Sequence, residues 1–163
     1  MTSVIRNFIS HPLLLTAEGG ELVWCNWCEG PVKDIYMGEA SSSVENEILD
    51  MAVKQLEEYF AGTRSEFTVP FRMEGTDFQK RVWTELLKIP YGGTITYKEL
   101  AHRIGKPGAC RAVANACGAN HVDVIIPCHR VVASGGRIGG YTGGTDIKMA
   151  LLDIEQRSAP SCD

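Results

Sequence analysis

At Gly75 the spacing of apolar residues changes period, and a chain that does this has to build two differently organised bodies. Before Gly75 the apolar residues fall in short runs, "PLLLTA", "ELVWCNW" and "KDIYMG", broken by "EGG" and "EGP", the pattern of two or three strands with tight connections in an antiparallel meander. The stretch "SSSVENEILDMAVKQLEEYFAG" then puts Val44, Ile48, Met51, Leu56 and Phe60 near helical spacing, with Ser42 and Glu45 as a capping box and Gly62 as a stop. "EFTVPFRM" alternates like a further strand, which Pro70 confines to a sheet edge. After Gly75 the pattern is helical. The expected fold class is α+β: a small N-terminal antiparallel sheet with a helix over residues 1–75, and a mostly helical C-terminal domain with a helix-turn-helix over residues 76–163.

The C-terminal half is punctuated by caps. Thr76 and Gln79 form a capping box before "DFQKRVWTELLK", whose Phe78, Val82 and Leu86 make one apolar stripe. Thr96 and Glu99 make a second box, opening a helix with Tyr97, Leu100 and Ile104 on one face and Gly105 at its end. "KPG" turns the chain into "ACRAVANAC", where Cys110, Val113 and Cys117 share an inner face and Arg111 and Asn115 share an outer one. Two short helices joined by a glycine-containing turn have the shape of a helix-turn-helix. The second is rich in alanine, which suits a close, sequence-indifferent contact in a minor groove better than base reading in a major groove.

The charge of −4 is unevenly divided: residues 1–75 carry 5 Lys+Arg against 12 Asp+Glu, a net −7, and residues 76–163 carry 11 against 8, a net +3. Only the second half suits a polyanion. The 6 cysteines are irregularly spaced and no secretory signal precedes them, so free thiols are expected rather than a disulfide framework. "CNWC" (Cys25, Cys28) is the one pair with metal-ligand spacing, and with no second pair to complete a site no metal is expected. Without a signal peptide or an apolar membrane span, the chain is expected to be soluble and cytoplasmic, with no membrane partner.

The stretch "IIPCHRVV" sets Cys128 beside His129 in an apolar run that resembles a buried strand interrupted at Pro127. Spacing alone leaves two meanings open, an inert buried thiol or a nucleophile activated by a neighbouring base. A base needs an orienting group, and Glu155 in the last helix is the candidate acid. "GGYTGG" downstream allows a close backbone approach but lacks the spacing and lysine of a phosphate loop.

Taken in order, "FQKRVWTELLKIPYGGTITYKELA", "RAVANACGAN", "IPCHRVV" and "GGYTGG" resemble the O6-alkylguanine-DNA alkyltransferases, the suicide repair proteins also called DNA-protein-cysteine methyltransferases, over about residues 76–156. The resemblance implies irreversible transfer of an alkyl group from O6 of guanine in double-stranded DNA to Cys128. His129 would take the thiol proton through a water and Glu155 would hold His129. Tyr97 would donate to the leaving base, with the backbone around Thr142 assisting. Arg111 matches the finger that replaces a flipped nucleotide in the minor groove, and Asn120 the asparagine bracing the active-site segment. Tyr141 would wall the pocket, and the carbonyls of Cys128 and Val131 would read the guanine amino group. A monomer without cofactor is implied. The chain departs from the family pattern in having His121 after Asn120 where proline is common, and "YGG" where the family has a glutamate in the turn. The alternative is a lesion-binding module of the alkyltransferase-like type, which flags damage without reacting and lacks the cysteine.

Overall fold

Strands β1 (Thr2–Phe8), β2 (His11–Glu18) and β3 (Glu21–Trp27) form an antiparallel meander, and β4 (Tyr36–Met37) pairs antiparallel with β1, giving the order β3-β2-β1-β4. The computed structural model describes residues 1–29, 36–37 and 43–159, and the chain divides into two compact units, Met1–Met73 and Glu74–Asp163. β1 carries no turn signal in the sequence because its two-residue connection to β2 is Ile9-Ser10. Both residues adopt positive φ (46° and 65°), which such a turn usually assigns to Asn-Gly. The next connection, Gly19-Gly20, does the same with residues free of the Cβ penalty, and it was legible.

Helix α1 (Ser43–Phe60) packs against β1, β2 and β3. Its inner face is Ile48, Leu49, Ala52, Leu56 and Tyr59. The expected stripe is therefore rotated: Val44 and Met51 lie 50% and 39% exposed, while Phe60 stacks on Phe8 with ring centroids 4.9 Å apart. Of the expected capping box, Ser42 lies outside the described residues; the Glu45 carboxylate accepts from Thr2 Oγ1 at 2.8 Å. The strand expected over "EFTVPFRM" reduces to one parallel bridge between Leu22 and Phe71. Pro70 has no N–H to extend a ladder, and the N–H groups of Thr68 and Val69 donate to the side-chain oxygen of Gln55 at 2.9 and 3.2 Å.

In the second unit, α2 (Asp77–Leu86) begins with the expected capping box, Thr76 and Gln79 each bonding the other's backbone. It buries Val82, Trp83 and Leu86, and Trp83 Nε1 donates to the Ala116 carbonyl at 2.8 Å. After β5 (Ile95–Thr96), Thr96 caps α3 (Tyr97–Arg103) by accepting from the Glu99 N–H. The reciprocal half of the expected box is missing, because the Glu99 carboxylate accepts from Arg103 at 2.9 Å. Helix α4 (Cys110–Gly118) packs on α2 and α3, burying Val113, Ala116 and Cys117, whereas Cys110 is only half-buried. β6 (Val131–Val132) runs parallel to β5, and α5 (Thr145–Ser158) closes the unit with Ile147, Lys148, Leu151 and Glu155 on its buried face. Two ionisable residues on an inner helical face are costly unless something holds them.

Candidate active site

Of the strand expected across Val122–Val132, only Val131–Val132 forms, as β6. The rest is a series of tight turns, with Ile126 N–H donating to Val122 O at 3.0 Å, Ile125 to Asp123 at 2.9 Å and Cys128 to Ile126 at 2.8 Å. Val124, a β-branched residue, sits at φ +72°, a conformation that costs about 1–3 kcal/mol and persists only where the surroundings impose it. Asn120 supplies much of that constraint. Its Oδ1 accepts from Val122 N–H at 2.9 Å, and its Nδ2 donates to Ile126 O at 2.9 Å and to Cys128 Sγ at 3.3 Å. Pro127 then opens a single 3-10 turn, Cys128–Arg130, before β6.

Cys128 is 4% exposed. Burial pushes its thiol well above the ordinary value and the facing Asp123 adds to the shift, against a smaller downward pull from the Asn120 hydrogen bond and Lys148. At neutral pH the resting sulfur is protonated.

Behind it His129, Arg130 and Glu155 form a buried group. His129 Nε2 lies 2.9 Å from Glu155 Oε2, a bond in which the ionised carboxylate accepts, and this makes Nδ1 the basic nitrogen. The Arg130 guanidinium grips the same carboxylate, with Nε 2.7 Å from Oε1 and a second very short bond from the terminal nitrogen, and it donates to the Ile89 carbonyl at 2.8 Å. Burial raises the Glu155 carboxyl, but His129 and Arg130 outweigh it and hold the group below its usual value. Burial likewise lowers His129, against the pull of Glu155, leaving a neutral imidazole able to accept a proton.

A cavity of about 350 Å³ opens onto the sulfur, lined by Tyr97, Ala114, Cys117, Gly118, Cys128, Gly140, Tyr141 and Thr142. Burial lifts the Tyr97 phenol to about 12, so it is a donor at neutral pH, and it rests 3.4 Å from the Gly140 carbonyl. Gly139, at φ +75°, lets the loop pass the ring, since a Cβ there would come within 3.1 Å of it. Lys148 Nζ ties the walls together, donating to Val131 O at 2.5 Å and Gly140 O at 3.1 Å, 5.7 Å from the centre of the Tyr97 ring.

The residues singled out in the sequence thus divide by place. Tyr97, Cys128, Tyr141 and Thr142 line the cavity, with Thr142 Oγ1 donating to the Gly118 carbonyl at 3.1 Å. His129 and Glu155 are buried, and Asn120 braces the approach. Val131 is buried outside the lining, its carbonyl accepting from Lys148. Arg111 is on the exposed side of α4. Sequence reasoning missed Arg130, Lys148 and Asp123. Lys148 stands two helical turns before Glu155, a spacing that puts both on one face, and this was the available signal. Among the described residues, no group of three or more His, Cys, Asp or Glu could hold a metal ion, and no helix is long and apolar enough to cross a membrane.

Residues 9–73 match the family model of the 6-O-methylguanine DNA methyltransferase ribonuclease-like domain, and residues 77–157 that of the DNA binding domain of 6-O-methylguanine DNA methyltransferase. The methylated-DNA–protein-cysteine methyltransferase of Methanosarcina acetivorans is 45% identical over 145 residues, spanning 88% of this chain and 91% of that one. The crystal structure of Mycobacterium tuberculosis O6-methylguanine methyltransferase aligns with a TM-score of 0.81 at 38% identity, covering 99% of this chain and 96% of that one. A crystal structure of M. tuberculosis OGT in complex with DNA aligns at 0.76 and 41% identity, over 92% and 89% of the two chains.

Proposed function

Because the chain belongs to the 6-O-methylguanine DNA methyltransferase family, we propose that it repairs alkylated DNA by moving the alkyl group from O6 of guanine onto Cys128, once per molecule. The observation that carries this reading is a braced thiol facing a cavity, with a neutral imidazole on the next residue that is buried against its carboxylate partner Glu155.

Sulfur attacks the alkyl carbon, and the S–C bond forms as the C–O6 bond breaks. The thiol proton passes through a water to His129, whose imidazolium Glu155 stabilises. Guanine leaves with developing negative charge, which the Tyr97 hydroxyl meets with a hydrogen bond. The proton that sulfur lost balances the one that guanine regains. A thioether does not hydrolyse under cellular conditions, so the acceptor is consumed and no cofactor takes part.

The target atom is stacked within a duplex, so the nucleotide has to be flipped out, at a cost of a few kcal/mol. The exposed side of α4 presents Arg111 among small residues such as Ala112, a surface suited to the minor groove with the arginine filling the vacated place. Arg111→Ala is expected to slow repair of duplex DNA by about tenfold or more, since it removes support for flipping, while sparing reaction with free O6-alkylguanine. Equal losses on both substrates, measured side by side, would contradict this role.

The function itself is tested by incubation with duplex DNA carrying radiolabelled O6-methylguanine. Label is expected on the protein, and none on a Cys128→Ala variant that still binds the DNA. Binding without transfer by the intact protein would favour a lesion-flagging module instead.

A further inference from the structure

We propose that Asp123 adds to burial in holding the resting Cys128 thiol in its protonated form, acting on the reacting sulfur as a proton latch. The proposal rests on Cys128 being the alkyl acceptor. Asp123 is 1% exposed, and Cys128 Sγ donates to its Oδ1 at 3.9 Å, within the longer reach of a sulfur hydrogen bond. The backbone that carries the carboxyl is held, because the Asp123 carbonyl accepts from Ile125 N–H at 2.9 Å and the residue bridges to Ile126, both across the strained Val124.

A carboxylate facing a thiol accepts its proton in a hydrogen bond. Once that proton leaves, oxygen and sulfur are two acceptors of like charge in a buried site, where repulsion is far stronger than in water. The other groups around the sulfur divide into two sets. Asn120 Nδ2, at 3.3 Å, and the Lys148 ammonium favour the thiolate. Cys117 of α4 and Tyr97 of α3, which line the same cavity, offer it no positive charge, and His129 is held neutral. The site thus contains parts that stabilise a thiolate and parts that oppose it, among which burial comes first, the Asp123 carboxylate next and Cys117 last.

Such opposition fits a residue that can react only once. Oxidants and stray alkylating agents attack the thiolate, so a sulfur kept protonated until substrate arrives is protected from both. The proton stays on sulfur, donated toward Asp123, and is released to His129 only in the reacting complex.

The test needs no DNA, so its failure is distinguishable from failure of the alkyl-transfer reading. The rate of iodoacetamide alkylation at Cys128 is followed by site-resolved mass spectrometry against pH, in the full chain and its Asp123→Asn and Asp123→Ala variants. Both substitutions are expected to lower the midpoint of the profile, asparagine more than alanine because it adds a donor. At neutral pH the rate should rise about threefold per unit of that fall, since thiolate fraction grows tenfold while intrinsic nucleophilicity declines with a Brønsted slope of about 0.4–0.5. Midpoints unmoved in both variants, or moved upward, would overturn the latch. The unmodified protein supplies a second readout that requires no Asp123 variant to fold. Its infrared S–H band, isolated by difference from Cys128→Ala, should lie below the frequency of a thiol without a hydrogen bond. A band at that frequency would also overturn the proposal.

Discussion

Glu155→Gln is expected to destabilise the protein by about 3–5 kcal/mol, because it removes the charge that compensates a buried arginine. Arg130 has its guanidinium against Glu155 and the Ile89 carbonyl, with the Tyr91 ring 5.7 Å away. A loss of that size lowers the melting temperature of a chain this long by roughly 10 °C, readable by thermal denaturation. A shift of only a degree or two would mean that Arg130 finds another partner. The substitution also removes an acid-sensitive contribution. Glu155 is held below its unfolded value, so the stability it supplies is complete above the ordinary glutamate value of 4.5 and is lost as the pH falls through the lower folded one. His129 adds to this loss, since its folded value lies below the ordinary 6.5 and acid favours the unfolded, charged imidazole. Urea midpoints taken below pH 4.5 should therefore fall in the parent protein, and the part of that fall that comes from Glu155 should be absent in Glu155→Gln.

Tyr97→Phe is expected to slow alkyl transfer by about 10²–10³-fold, the usual cost of removing one donor from a developing anion. Affinity for DNA should stay unchanged, because the phenol faces the cavity and not the exposed side of α4. In the resting protein the hydroxyl reaches the Gly140 carbonyl only at 3.4 Å, so little stability is tied to it. Single-turnover rates and equilibrium binding on the same lesion-bearing duplex separate the two quantities, and a binding defect as large as the rate defect would assign Tyr97 to DNA contact instead.

What the sequence disclosed follows from which signals are local. The cap at Thr76 and the Gly19-Gly20 hairpin depend on neighbours within four residues and were legible. The turn at Ile9-Ser10 was not, because residues that seldom take positive φ do so there under the register of the strands they join. The inner stripe of α1 was misplaced because Leu49 and Met51 are equally apolar, and only packing against the sheet decides which is buried. At the site, the four motifs together nominated Cys128, Tyr97, Tyr141 and Thr142, and these side chains line one cavity. Lys148, Arg130 and Asp123 escaped because a charged residue reads as solvent-facing until its buried partner is known. The partner carbonyl of Lys148 lies 17 residues away and the carboxylate of Arg130 lies 25 away.

The most direct measurement is a titration of limiting protein with excess duplex containing O6-methylguanine, followed by intact mass and peptide mapping. One methyl group per chain, located on Cys128, with no further repair after the protein is consumed, is the expected result. Repair continuing beyond one equivalent, or a methyl group on Cys117 or any residue other than Cys128, would contradict the account.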